Sequence, residues 1–310
     1  MALTSFSTSN AYSTAVKNYI DGLGSVPDDW RKFSEFSTEQ AGALRMTSMA
    51  SIGEVAAWNG TADLSSSATA AGASLTKTLA VTQYGSQVTI SRLDAETIPN
   101  LVAGMSRRMG VAVANTYAKQ VFTKLGECLT TEETSDGKGF FAANHTVPGG
   151  SGTRSNVVVT ACDTAGIAAC LKAAREWVDA TGAPYDLSSG GYWLVCSPTL
   201  EEAAMQAVMS PYTLTTVATP AEGGAPSQGL SNMVTQYLSV SDIIVSPHIT
   251  DTNAFFLLPK LQPVLMAWQR LAPILRTVED ENTLAMKLTV DFALTAACQA
   301  EPIGIAGNPS

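Results

Sequence analysis

Residues 96–127 read ETIPNLVAGMSRRMGVAVANTYAKQVFTKLGE. Apolar side chains recur at Ile98, Val102, Met105, Met109, Val113, Tyr117, Val121 and Leu125. Steps of three or four residues mark one face of a helix. Arg107, Arg108, Lys119 and Lys124 mostly fall off that stripe. Pro99 stands where a first helical turn tolerates a missing N–H, behind the acidic and capping residues Asp94, Glu96 and Thr97. Gly126 supplies the terminator. The pattern predicts about 29 helical residues, roughly 43 Å at 1.5 Å each, against a usual ~11–12 residues.

A second stretch matches it in length. From Leu284 to Ala296 the even positions are Leu, Met, Leu, Val, Phe, Leu and Ala, while the odd ones include Lys287, Thr289, Asp291 and Thr295. Period two predicts a half-buried strand. At ~3.3 Å per residue it also spans roughly 43 Å. A long helix and an equally long strand predict an elongated slab with the strand's apolar face along the helix. The pattern alone leaves open an ordinary α+β domain with one long helix.

The 310 residues suffice for a large core and for two domains. Charged residues make up 15% of the chain, so much of the surface is neutral Ser, Thr, Ala and Gly, which suits broad protein–protein contact. The net charge is −9 and no Lys/Arg run exceeds two, which argues against a dedicated nucleic-acid groove. The five cysteines form no CxxC and are odd in number, so reduced, buried thiols are expected. No basic segment followed by an apolar core marks a signal peptide, and no apolar run approaches the ~18 residues of a membrane span.

Along the chain, residues 1–45 are polar with a short helix at Ala15–Leu23 and large apolar groups at Trp30, Phe33 and Phe36. These dock on their own domain or on a neighbouring subunit. Residues 46–92 read as a long hairpin with a low-complexity tip, broken near Gly85-Ser86. Too few apolar residues support it, so Trp58, Lys77 and Tyr84 are candidates, with Trp30, Phe33 and Phe36, for inter-subunit contact. Residues 130–152 are loop-rich. Helices are expected at Asp163–Ala180 and from Pro198 to about Met209. Strands are expected at Val157–Val159, Tyr192–Cys196, Ile243–Val245, Phe255–Leu258 and Val264–Trp268.

Catalytic patterns are missing from this reading. His145 and His248 are the two histidines, and neither stands at ligand spacing from a second histidine or a cysteine. GxSxG does not occur, and Gly137-Lys138 lacks the upstream glycine of a phosphate loop. No catalytic residue, cofactor or metal is assigned.

The order of motifs resembles a known family. A polar arm with Trp30 precedes Ile52-Gly53-Glu54-Val55, Trp58-x-Gly60 and Val88-Thr89-Ile90-Ser91-Arg92; after the long helix come Asp136-Gly137-x-x-Phe140-Phe141 and His145. Over residues 10–147 this resembles the major head subunit of Mu-like phages. Later, Trp193-Leu194-Val195-Cys196-Ser197-Pro198 leads into a helix and the long strand follows, similar to tailed-phage major capsid proteins.

The resemblance implies a structural α+β fold and no enzyme. Its parts are an N-terminal arm (1–45), an extended loop (46–92), a peripheral domain with the spine helix (93–159), an axial domain (160–260), and a return to the peripheral domain (261–310). It implies hexamers and pentamers closing an icosahedral head in the host cytoplasm, around double-stranded DNA that is not read by sequence, with no membrane. The implied further partners are a separate scaffold, a maturation protease, a portal and decoration proteins. No fused scaffolding segment is expected before residue 1. Some members of the wider fold join a loop lysine to an asparagine; here Lys77 is the loop's lysine and Ala285 takes the asparagine's place, so no cross-link is expected. Two other classes stay open: a cellular nanocompartment shell on the same fold, and an enzyme or binding module using the 130–152 loop.

Overall fold

The computed structural model describes residues 8–38, 44–48, 75–98, 100–132, 134, 137–146, 153–177, 190–209, 212–213, 230–279, 285–299 and 302–307. In chain order the elements are α1 (Thr8–Leu23), β1 (Ser34–Ser37), β2 (Leu44–Ser48), β3 (Leu75–Leu79), β4 (Thr82–Ile90), α2 (Arg92–Thr97), α3 (Leu101–Glu127), β5 (His145–Thr146), β6 (Thr153–Arg154) and β7 (Val157–Val158). They continue with α4 (Thr164–Arg175), β8 (Tyr192–Cys196), α5 (Glu201–Met209), β9 (Tyr212–Thr213), β10 (Leu230–Ser231), β11 (Ile243–Val245), β12 (Phe255–Pro259), β13 (Leu265–Glu279), β14 (Met286–Cys298) and β15 (Ile305–Gly307).

The long helix and long strand pack together. In β14, Leu288, Val290, Phe292, Leu294, Ala296 and Cys298 are buried, while Thr289, Asp291 and Thr295 on the other face are half-buried. Met109, Val113, Tyr117, Val121 and Leu125 of α3 are buried. The two join at Tyr117, whose ring stacks on Phe292 with centroids 5.4 Å apart and planes 16° apart. Tyr84 of β4 stacks on the same ring at 5.4 Å.

The helix starts later than its periodicity suggests. Proline disfavours helical geometry in the residue before it, and Ile98 is extended at φ −101°, ψ 107°. Asn100 then takes a left-handed turn at φ 62°, which asparagine tolerates. The short α2 lies upstream, capped by Ser91, whose side chain accepts from the Asp94 N–H at 3.1 Å. The expected start at Pro99 is therefore corrected to Leu101. Gly126 lies within the helix, which ends at Glu127, so it is not the terminator.

The strands form two main sheets. The long sheet has the order β1-β13-β14-β4. β13, at 15 residues, is longer than β14 and exceeds the expected Val264–Trp268. Its register shifts between Gln269 and Leu271 and again between Leu271 and Ile274. β4 runs unbroken through Gly85-Ser86, paired with Asp291 and Val290 of β14, so the expected break there is corrected and β4 belongs to the sheet. The hairpin is β2 with β3, antiparallel from Leu44↔Leu79 to Ser48↔Leu75. Trp58 lies outside the described residues.

The second sheet has the order β11-β8-β12-β15-β7. Phe255 to Leu258 and Tyr192 to Cys196, except half-buried Trp193, are buried at its centre. β15, near the chain's end, pairs with β12 on one side and β7 on the other. The last strand thus joins this sheet rather than the long one. Asp163 caps α4, accepting from the Gly166 N–H at 2.7 Å.

Candidate assembly surfaces

The arm docks on its own chain. Trp30 is 4% exposed and Phe33 fully buried. Trp30 meets Tyr117 at 6.0 Å and Phe36 edge-on at 5.7 Å, and Phe33 meets Phe122 at 5.4 Å. The Phe33 carbonyl accepts from the N–H groups of Val264 (2.9 Å) and Leu265 (3.3 Å), and β1 continues as a parallel partner of β13 from Ser34↔Leu265 to Ser37↔Trp268. Trp30 and Phe33 therefore have little surface left to offer a neighbour: as inter-subunit candidates they are corrected to core residues. Phe36 and Tyr84 are half-buried. Lys77 lies in the hairpin, opposite Met46.

Upstream, α1 lies directly on α3 through two glycines. A Cβ on Gly22 would stand 2.2 Å from the Arg107 carbonyl oxygen, and one on Gly110 would stand 2.2 Å from that of Tyr19. The Tyr19 hydroxyl donates to the Pro273 carbonyl at 3.3 Å, tying α1 to the edge of the long sheet. Burial pushes the Tyr19 phenol up to about 12.

The sheet face opposite α3 divides in two. At one end Leu79, Trp268 and Ala297 form a small buried cluster flanked by Val81 and Met266, which anchors the base of the hairpin. At the other end Leu271, Ile274 and Val278 are 37%, 52% and 58% exposed. β1 pairs with Leu265–Trp268, so Gln269–Glu279 forms the sheet's edge. Pro273 and the register shifts blunt that edge against uncontrolled pairing.

The described part of the 130–152 loop is held by hydrogen bonds and an ion pair. Asn156 donates from Nδ2 to the Phe140 carbonyl at 2.8 Å and accepts at Oδ1 from the Ala142 N–H at 2.8 Å. His145 Nε2 lies 3.1 Å from the same Phe140 oxygen. Lys124 bridges Glu127 (2.6 Å) and Glu132 (2.7 Å), fastening the end of α3 to this loop. All five cysteines are buried and stand outside any disulfide. Burial pushes the thiols of Cys162, Cys170 and Cys196 up to about 12, far from the thiolate range a nucleophile needs. Among the described residues no three His, Cys, Asp or Glu side chains group to hold a metal, and no helix is long and apolar enough to cross a membrane.

One ion pair holds the second sheet. Lys260 Nζ lies 2.7 Å from Asp242 Oδ1 and 4.6 Å from the centre of the Trp193 ring. Burial alone would raise the Asp242 pKa, but Lys260 and the Ser239 N–H and hydroxyl together outweigh it and hold the carboxyl below its ordinary value. A carboxylate lowered on folding contributes stability above its unfolded pKa and loses it as pH falls through the folded one. Asp242→Asn should therefore cost about 1.5–3 kcal/mol at neutral pH. The gap to wild type should close as pH falls through and below the ordinary carboxylate range. Melting curves of both proteins across pH 2–7 would check this (about five steps suffice to resolve the slope); a gap that persists unchanged at the acid end would contradict it.

A long helix laid along a long-stranded sheet, a smaller sheet with helices beside it, and a two-stranded hairpin make up the described fold. Residues 73–308 match the family described as "Phage capsid protein", and the chain belongs to that family: it is a structural capsid protein of the virion. Compared by sequence with curated proteins, it matches none. Among solved structures, the capsid of Ralstonia phage GP4 superposes with a TM-score of 0.59 at 12% identity, covering 89% of this chain and 86% of that one. The virus-like particle from Pyrococcus furiosus gives 0.56 at 10%, covering 95% and 97%. The SrpI encapsulin of Synechococcus elongatus PCC 7942 gives 0.50 at 9%, covering 92% and 88%. At these identities the likeness concerns the fold.

Proposed function

We propose that this chain is the major capsid protein of a tailed phage with a Mu-like head. In this reading it assembles as hexamers and pentamers into the icosahedral shell that encloses double-stranded DNA, inside the host cytoplasm, with a separate scaffold, maturation protease, portal and decoration proteins. The observation that carries it is the family match over residues 73–308, joined to a 27-residue helix laid along strands of 13 and 15 residues. The exposed edge of β13, the hairpin with Lys77 and Trp58, and the half-buried Phe36 and Tyr84 are the surfaces assigned to neighbouring subunits.

A cellular nanocompartment shell is the second reading, favoured by the likeness to the SrpI encapsulin. Purified particles separate the two, since a phage head holds DNA and a nanocompartment holds cargo protein.

Sedimentation tests assembly, with capsomers or shells expected well above the 32.4 kDa chain. A profile of monomers alone across salt, concentration and scaffold co-expression would contradict the reading. Boiling in detergent and reductant should return single chains, because Ala285 offers no amide to Lys77. Ladders that survive this treatment would overturn that expectation.

A further inference from the structure

Among the described residues, four of the five exposed cations without a partner lie on one layer of this acidic chain. Arg31, Lys32, Lys124, Lys172, Lys260 and Arg276 each lie within 4 Å of a carboxylate. Arg154 and Arg175 lie over the rings of Trp177 and Tyr237. Among the described residues, exposed Arg270 of β13 has neither an ion pair nor a ring partner, and neither do Lys17, Arg107, Arg108 and Lys119, all of them exposed. The last four stand on the helical layer formed by α1 and α3. Arg108 and Lys119 are about three turns, or roughly 17 Å, apart on one side of α3, with exposed Ala112 and Asn115 between them. From Leu101 to Gly126 the helix carries no acid, and the acid of α1 is Asp21. This cationic layer belongs to a chain with 27 acidic and 18 basic residues.

A solvated face needs no such sorting. Unpaired exposed cations keep their full attraction for an external polyanion, and a duplex presents one phosphate per ~1.7 Å of axis. Four cations spread over a broad two-helix layer match the phosphate backbone rather than the base edges of one groove, so contact would stop at the backbone.

We propose that the α1–α3 layer, through Lys17, Arg107, Arg108 and Lys119, is a weak, sequence-independent docking face for the phosphate backbone of duplex DNA, and hence the side of the subunit that turns toward the packaged duplex. This rests on reading the chain as the wall of a DNA-filled head. The affinity is set low by the net charge of −9, which repels DNA beyond the contact itself. That suits a lining from which DNA must later leave.

The test uses purified unassembled full-length chain and a labelled duplex of about 30 base pairs, followed by fluorescence anisotropy. Four phosphate contacts give a slope of log affinity on log salt near −3.6, a loss of about 150-fold between ~50 and ~200 mM salt. The double variant Arg108→Gln/Lys119→Gln should halve that slope, leaving a loss of about 12-fold. Lys172→Gln/Arg276→Gln removes the same charge from paired sites and should leave the slope unchanged. Equal slopes in wild type and the Arg108/Lys119 variant, or no duplex binding at ~50 mM salt, would overturn the proposal. Binding of polyglutamate in place of duplex would reassign the face to an acidic protein and overturn it too. Electron microscopy of the same preparations after assembly keeps the two readings apart. Shells whose chains ignore DNA defeat this inference alone, whereas absence of shells defeats the capsid reading and leaves the measured slope standing.

Discussion

Phe292→Ala is expected to lower the melting temperature by on the order of 10 °C. Phe292 is 3% exposed, and its ring lies between those of Tyr84 and Tyr117, each 5.4 Å away. That stack joins three elements from distant parts of the chain: the spine helix, the central long strand and β4. Truncating a buried phenylalanine costs about 3–5 kcal/mol, because the cavity left behind collapses only in part. Each kcal/mol shifts melting by about 2–4 °C in domains of a few hundred residues. Phe292→Leu, which keeps most of the volume, should lose less than half as much. Differential scanning calorimetry of both variants checks the prediction. A loss below about 1 kcal/mol for the alanine variant would mean that helix and sheet are not locked together at this point.

The second large effect is a pair of opposite signs on one helix. Replacing an interior helical glycine by alanine ordinarily stabilises by up to ~1 kcal/mol. Gly104 has nothing within 4 Å of where its Cβ would stand, so Gly104→Ala should raise the melting temperature. At Gly110 the same methyl would meet the Tyr19 carbonyl oxygen at 2.2 Å and the Leu23 nitrogen at 2.8 Å. Both are backbone atoms of the facing segment, so α1 must move as a body. Overpacking of this kind costs about 1–3 kcal/mol, enough to outweigh the gain in helix propensity. Gly110→Ala should therefore melt lower and expose the 8–23 segment to proteolysis before global unfolding. Stabilisation by both substitutions would show that α1 does not rest on α3.

The same two elements show what was legible in the sequence. β14 announced itself because its partners flank it on both sides and its period stays at two over 13 residues. β13 did not, although it is longer. Two register shifts and Pro273 break its alternation, and the half beyond Trp268 lies at an edge where Leu271, Ile274 and Val278 face outward. Apolar period then ceases to report burial. Three-residue β15 carries no period at all; it was found by where the chain goes, not by what it contains. The break before α3 was readable in principle, since Pro99 constrains Ile98, yet the apolar stripe running through it suggested a single helix.

The assembly surfaces were less legible than the fold. Trp30 and Phe33 are residue types that fill a core or an interface equally well, and local sequence does not state which surface covers them. Their environment depends on Tyr117 and Phe122, nearly ninety residues downstream. The glycine contact between α1 and α3 gave no advance signal, because a glycine's close approach is a property of the partner backbone. The gathering of four unpaired cations on the α1–α3 layer emerged from the ion-pair geometry and not from the charge sequence.

The measurement that tests the account most directly is electron microscopy of the purified, expressed chain, alone and with its packaging partners. Closed icosahedral particles of hexamers and pentamers are expected. In a reconstructed subunit, α3 should lie along β13 and β14, and the hairpin of Leu44–Ser48 with Leu75–Leu79 should reach a neighbouring subunit. Dispersed 32.4 kDa monomers under every assembly condition, or particles whose subunits meet through other surfaces while the hairpin folds back on its own chain, would contradict it.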